Sequence, residues 1–357
     1  MAIRWKECQA CDFGDDPQDI DYGKLYENRF KLLRKAYERA NVGEDQEFEA
    51  YRRENAWWLD DYALFMAVKD QFDGVAWNEW AEDIRLRWSN AMDYYRRELY
   101  YEIEFYSYLQ FVFMKQWKKL KNYANINGIE IIGDIPIYVA FDSADAWANP
   151  ELFQFDAENL PTAVAGCPPD GFSADGQLWG NPLYRWDYHR ETGFDWWIRR
   201  IAYCSELYDV VRIDHFRGFD EYYSIPYGDT TARNGHWEKG PGIALFEAAK
   251  NRLGELNIIA EDLGYITDSV KKLVADSGFP GMKVLEFAFD SREKSDYLPY
   301  TYEKNSVVYT GTHDNETIAG WYAGLDKSDL KMCTDYMNID RIPGKEYHWD
   351  FIRLAML

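Results

Sequence analysis

Long hydrophobic runs are missing from this chain: no stretch approaches the roughly 18 consecutive apolar residues of a membrane-crossing helix. The first residues, "MAIRWKECQACDFGDD", hold no apolar segment of the kind that directs secretion, so neither membrane insertion nor export is expected. Positive charge is scarce as well. Lys and Arg number 40 against 62 Asp and Glu, a formal charge of −22, so nucleic acid would meet repulsion where it needs a basic stripe. Cysteine is limited to five residues, an odd count in a long chain, which argues against a disulfide framework and for a reducing, cytoplasmic setting. Cys8 and Cys11 form a lone C-x-x-C with no second pair and no nearby histidine, too little for zinc. No G-x-G-x-x-G or Walker sequence opens a helical stretch, which leaves nucleotide binding without a foothold. No cofactor and no metal are expected.

Rings, by contrast, are in excess. Aromatics make up 18% of the chain, with 15 Trp, 28 Tyr and 20 Phe, more than the core of a 357-residue protein needs. Many should therefore lie at a surface, and flat apolar faces with polar edges suit a neutral ligand such as a sugar.

Residues 19–125 read as helical, with apolar residues recurring at three and four in "YGKLYENRFKLLRKAYERA", "WLDDYALFMAVKDQF" and "FYSYLQFVFMKQWKKLKNYA". The spacing of Trp88, Met92, Tyr95 and Leu99 predicts a further helix over 83–101. Residues 1–127 are thus expected to form a mostly helical subdomain, and 128–357 a second part of different texture. From Gly128 onward short β-type runs, "IEIIGDIPIYV", "YDVVRIDHF", "NIIAEDLG", "MKVLEFAF" and "SVVYTGTHD", are each followed by a loop and helical sequence. This alternation predicts parallel strands buried on both faces, in a β/α barrel or an open doubly wound sheet. Gly254 should stop a helix that begins near Gly242, and Thr267 or Asp268 should cap one that ends before Gly278. Between the first two runs lies a segment, 141–187, rich in Pro, Gly, Trp and Asn, and long enough to be a functional loop or a small subdomain. Within it Gln177, Trp179 and Asn181 share a period of two and would present one face if extended.

Four acids stand where these runs give way to loops. In "VVRIDH" the residues Arg212 and Asp214 point to one side of the strand and Val211 and Ile213 to the other. The apolar pair faces helices, and the charged pair faces inward, where a guanidinium is expected to keep the acid ionised. Glu261 closes "NIIAE", Asp314 closes "VVYTGTHD", and Asp134 lies inside the first run; the separations of 80, 47 and 53 residues fit one βα unit each, the first with its long loop. In a β/α barrel such strand ends converge on one mouth. Several carboxyls in an aromatic mouth poor in bases point to glycoside chemistry, in which one acid attacks the anomeric carbon and another shuttles the proton. A divalent ion held by these acids with His215 and His313 is the rival use, but no ligand spacing within one element supports it. Taken singly, Asp214 beside Arg212 reads as a structural ion pair, Glu261 as a helix-entry acid, His313 as a core histidine and Trp179 as core packing. The set carries the argument. Glu286, at the end of "MKVLE", finds no partner in the neighbouring sequence and reads as a structural residue or one that supports the site.

The runs "GDIPIYVAFDSADAWANPELF", "CPPDGFSADGQLWGNPLYRW", "VVRIDHFRGF", "IIAEDLG" and "GTHDNET" resemble the successive signatures of the 4-α-glucanotransferases, glycoside hydrolase family 77. "ENAWWLDDYALFMAVK" and "FVFMKQWKKLKNYANINGI" resemble the helical segments that precede them, so the likeness covers about residues 21–340. The resemblance implies a (β/α)8 barrel of the TIM type that acts on α-1,4-glucans with retention. It implies Asp214 as the nucleophile, Glu261 as acid and then base, and Asp314 as a third carboxylate gripping the distorted sugar. Arg212 would orient Asp214, His215 and His313 would hydrogen-bond the sugar, and Asp134, Gln177 and Trp179, with Asn181 on the same face, would bind glucose units. Transfer in place of hydrolysis needs an acceptor platform that excludes water, for which 141–187 is the candidate. Some relatives carry an aromatic residue where this chain has Gly171, before Phe172, which removes a stacking surface. About five of the eight strands are legible, matching the third to the seventh, so the chain is expected to be an internal portion of a longer enzyme. Open barrel edges would then invite self-association. Maltooligosaccharides are the expected partners, with a plain α-glucan hydrolase and a catalytically silent glucan binder as alternatives.

Overall fold

The computed structural model describes residues 3–170, 173–264, 266–292, 295–340 and 346–357. Gly171 and Phe172 lie outside the described residues. Two compact units divide the chain: residues 1–129, 138–188 and 224–235 form the first, and 130–137, 189–223 and 236–357 the second.

The first unit is built on helices α1 (Tyr22–Glu38), α2 (Gln46–Gln71), α3 (Ser89–Glu98) and α4 (Tyr100–Ile126). Caps set where they begin: Asp21 Oδ1 accepts the N–H of Lys24, and Asp45 Oδ1 those of Glu47 and Phe48. The periodic apolar residues meet where expected, with Phe48 of α2 between Tyr108 and Phe111 of α4, at ring separations of 6.2 and 5.5 Å. Residues 83–101, expected as one helix, are instead a turn of helix, Glu82–Arg85, followed by α3. The break falls at Arg87, whose backbone is left-handed (φ 55°). Its guanidinium pairs with Asp61 at 2.6 Å and lies 4.2 Å over the Trp147 ring, so tertiary contacts draw it out of the helical path. Segment 141–187 is folded, with an antiparallel pair of strands among its elements.

Among the described residues the strands are β1 (Ile132–Ile135), β2 (Ala163–Cys167), β3 (Gln177–Pro182), β4 (Val210–Ile213), β5 (Glu221–Pro226), β6 (His236–Lys239), β7 (Ile258–Ala260), β8 (Gly281–Val284) and β9 (Ser306–Tyr309). In the second unit β1, β4, β7, β8 and β9 pair in that order, every pairing parallel. These are the five runs read from the sequence. Helix α5 (Asp195–Leu207) precedes β4, α6 (Ile243–Leu253) precedes β7 and α7 (Asp268–Ser277) precedes β8. Gly254 and Gly278 close α6 and α7 with positive φ, and Thr267 Oγ1 caps α7. The alternation fails once. Between β8 and β9 the described residues form 3-10 turns, Leu285–Ala288 and Pro299–Thr301, and no α-helix, in a connection where Pro299 and short polar residues break the helical period.

The apolar side of the sheet is dry: Val211, Ile213, Ile258 and Ala260 are buried, and Phe216, Phe219, Phe246 and Phe279 form a contiguous aromatic cluster. One close approach fixes the start of the sheet. A Cβ at Gly133 would stand 2.0 Å from the Tyr208 ring. Gly133→Ala is therefore expected to cost about 1–3 kcal/mol through overpacking, read as a lowered thermal midpoint.

Surplus rings are indeed exposed, among them Trp57, Trp88, Tyr101, Trp179, Trp237 and Phe287. All five cysteines carry free thiols. No described helix is long and apolar enough to cross a membrane.

Candidate active site

The ladder itself brings the first acids together. Arg212 of β4 lies opposite Asp134 of β1. One residue beyond each strand, Asp214 N donates to Ile135 O at 2.9 Å and Glu261 N to Ile213 O at 3.0 Å, so hydrogen bonds of the sheet hold both acids in register. Alternation turns Arg212 and Asp214 to the same face, and their side chains pair at 3.1 Å. Arg212 is buried, and each nitrogen of its guanidinium has a partner: Nη1 binds Asp134, Nη2 binds Asp214, and Nε donates to Met282 Sδ at 3.3 Å. Met282 belongs to β8, two strands from β4, and a contact across that span fits a sheet that curls toward this face.

Glu261 is buried, with 8% of its surface exposed. Oε2 accepts the N–H of His215 at 2.7 Å and Oε1 that of Leu263 at 2.8 Å. The first of these depends on a left-handed backbone at His215 (φ 50°), which aims the amide at the carboxyl. Burial drives the Glu261 carboxyl up to about 7; the charge of Asp214 pushes the same way, and the two amides and Arg212 oppose it. Burial and Arg217 lower His215 to about 4, so its half-buried ring is neutral at physiological pH. Arg217 in turn lies 4.0 Å over the Trp237 ring.

Asp214 corrects an expectation. Arg212 does favour its ionised form, but burial outweighs that pairing, and the charges of Asp134 and Asp314 add to burial, so the carboxyl stands above its ordinary range. Burial is the main reason, and the one guanidinium that opposes it is shared with Asp134. Arg212→Met would remove the cation from both, and the acidic limb of the pH–rate profile is then expected to move upward by about 1–3 pH units.

Asp314 sits in the turn after β9, exposed, with Oδ1 3.4 Å from His313 Nε2. His313 is exposed, unlike the core histidine of the plainer reading. Thus Asp134, Arg212, Asp214, His215 and Glu261 are joined by contacts, and Asp314 joins them through its charge on Asp214. Gln177, Trp179 and Asn181 form a group of their own on β3 in the first unit. The Trp179 indole N–H donates to Gln177 Oε1 at 3.0 Å, while Asn181 Nδ2 donates to Val139 O at 2.9 Å. Sequence reasoning missed Met282 and Asp262, whose Oδ1 accepts the N–H of Met282 at 2.7 Å and sets that residue under Arg212. The one signal available was the period of two that places Met282 on the same face of β8 as Val284.

A parallel sheet whose C-terminal ends gather acids and whose other face carries helices defines a protein of the β/α-barrel class. The profile of the 4-alpha-glucanotransferase family, glycoside hydrolase family 77, matches residues 4–357. The 4-alpha-glucanotransferase of Clostridium butyricum is 47% identical over 343 residues, 96% of this chain and 70% of that protein. That of Streptococcus pneumoniae is 49% identical over 335 residues, 93% and 66% of the two chains. The chain therefore spans about two thirds of the length of these relatives. An amylomaltase from Streptococcus agalactiae, solved in complex with acarbose, superposes with a TM-score of 0.94 at 43% identity, covering 99% of this chain and 71% of that one. The chain belongs to the 4-alpha-glucanotransferase family.

Proposed function

We propose that this protein performs retaining transfer of α-1,4-glucan segments between maltooligosaccharides through a covalent glucosyl–enzyme. A carboxyl standing at about 7, buried beside an ion-paired aspartate on the next strand, carries this reading. Asp214 attacks the anomeric carbon while Glu261 gives its proton to the departing 4-oxygen, so the C1–O4 bond breaks as the C1–Oδ bond forms. Glu261 then takes the proton of an incoming 4-hydroxyl, which displaces Asp214 and restores the α-linkage. The two amides on Glu261 occupy one lone pair of each oxygen, and the remaining pairs are left for this proton.

Asp314 grips ring hydroxyls in the distorted sugar, and Arg212 and Asp134 orient the nucleophile. Neutral His215 and exposed His313 hydrogen-bond the sugar. On β3, Gln177 fixes the Trp179 indole as a stacking surface for a glucose unit, with Asn181 beside it, and the surrounding segment 141–187 supplies the acceptor platform. The free thiols support a cytoplasmic setting. The acarbose bound to the Streptococcus agalactiae relative supports an α-glucan as the ligand.

Incubation with maltotriose tests the reading. Longer oligomers together with glucose are expected. Shorter products alone would make the protein a hydrolase, and retained binding without products would make it a silent glucan binder.

A further inference from the structure

One more carboxyl at the strand ends has no task so far. Glu286 follows β8 by two residues, and its N–H donates to Thr310 O at 3.2 Å, joining the exit of β8 to that of β9. Its surface is 7% exposed, and its Oε1 has no hydrogen-bond partner among the described residues. The carboxyl lies against Gly311: a Cβ there would stand 2.7 Å from Oε1, 3.0 Å from Cδ and 3.3 Å from Oε2. Gly311 is a notch that admits this side chain, and the backbone leaving it runs through Thr312 and His313 to Asp314. Beyond the notch the turn is closed by Asn315, whose Oδ1 accepts both the N–H and the hydroxyl of Thr312 at 2.9 Å. Thr312 Oγ1 then accepts the N–H of Asp314 at 3.3 Å. The turn carrying Asp314 is thus closed on one side by Asn315 and rests on Glu286 at the other.

We propose that Glu286, seated against Gly311, is a positioning residue that fixes the turn from Thr310 to Glu316 and with it the placement of Asp314. This rests on the assignment of Asp314 to the glucan site. A buried carboxyl with an oxygen that lacks a donor is tolerable as the neutral acid and costly as the anion. Burial pushes Glu286 up to about 7, and the charge that reaches it, that of Glu316 at the far end of the same turn, pushes the same way. His313 and Asp314 lie on that turn too, and Lys283 of β8 stands over the Tyr297 ring at 5.5 Å. Ionisation as pH rises through about 7 therefore loosens the support.

The experiment compares wild type, Glu286→Gln, Glu286→Ala and Gly311→Ala in maltotriose disproportionation from pH 5.5 to 9, with the Gly311 backbone amide resonance of wild type and Glu286→Gln followed by NMR over the same range. Glu286→Gln, which copies the neutral acid, is expected to keep kcat within about two-fold at pH 6 and to reduce the alkaline limb from two protons to one. Glu286→Ala and Gly311→Ala should lower kcat by about ten-fold with KM little changed, since the grip of Asp314 tightens only in the transition state. The Gly311 amide resonance should shift as pH rises through about 7 in wild type, a change that Glu286→Gln removes. An alkaline limb and a Gly311 amide shift unaltered by Glu286→Gln would overturn the proposal, as would wild-type kcat and KM for a folded Glu286→Ala. Should wild type show no transfer at all, the functional reading falls while the Gly311 amide shift still decides the role of Glu286. Should Glu286→Ala fail to fold, Glu286→Gln and Gly311→Ala carry the test.

Discussion

Replacing Asp214 by alanine is expected to lower disproportionation of maltotriose by about 10⁴- to 10⁶-fold while the protein stays folded. The loss is large because the covalent route disappears altogether; what remains is binding and the positioning of water. Folding should survive, because Arg212 keeps its partner Asp134 and its contact with Met282. Removing one of two carboxylates from that guanidinium also relieves crowding of negative charge. Initial rates of glucose release from maltotriose, with circular dichroism as the control for fold, check both halves. Full-rate transfer by a folded Asp214→Ala protein would show that another group attacks the sugar.

Glu261→Gln is the second large effect, and it splits into activity and stability. A general acid must hold its proton for the first step, so transfer in wild type should fall as pH rises through about 7, and the glutamine variant should be slower by about 10²- to 10⁴-fold. Stability moves the other way. The carboxyl is raised from 4.5 to about 7 in the folded protein, so its contribution is fully present below pH 4.5 and is lost as pH climbs through 7. That loss amounts to about 3 kcal/mol. Glutamine has no charge to bury and escapes this loss, although its amide turns one acceptor toward the His215 or Leu263 N–H into a donor. Urea unfolding at pH 5 and pH 8 should show a larger drop for wild type than for the variant. An equal drop in the two proteins would mean that Glu261 is not the group that titrates.

Local sequence carried the elements well where one period dominated. The five parallel strands were legible because each is a short apolar run that gives way to a loop, and α1, α2 and α4 because apolar residues recur along a single face. The break at Arg87 was not legible, since its cause is a carboxylate 26 residues earlier in the chain and an indole 60 residues later. The acids were found because Asp214 and Glu261 immediately follow their strands. Their electrostatics were read less well: the sequence places Arg212 next to Asp214 but does not show that Asp134 shares the same cation. Glu286 stayed without a role for a similar reason, as its support, Gly311, lies on the next strand's exit. The general limit is that a strand end announces which side chains reach the mouth of a sheet, whereas how charge is apportioned among them depends on neighbours the chain meets only after folding.

In the proposed mechanism, the influence of Asp214 on Glu261 also supplies a timing device. Once Asp214 is esterified by the sugar it no longer carries charge, and one of the forces holding the Glu261 proton in place vanishes with it. Glu261 is then a stronger acid than before and is readier to stand ionised when the acceptor arrives, which is the state the second half-reaction requires. When the new linkage releases Asp214, its negative charge returns and the proton is retained for another round, so the enzyme is reset by the same bond it breaks.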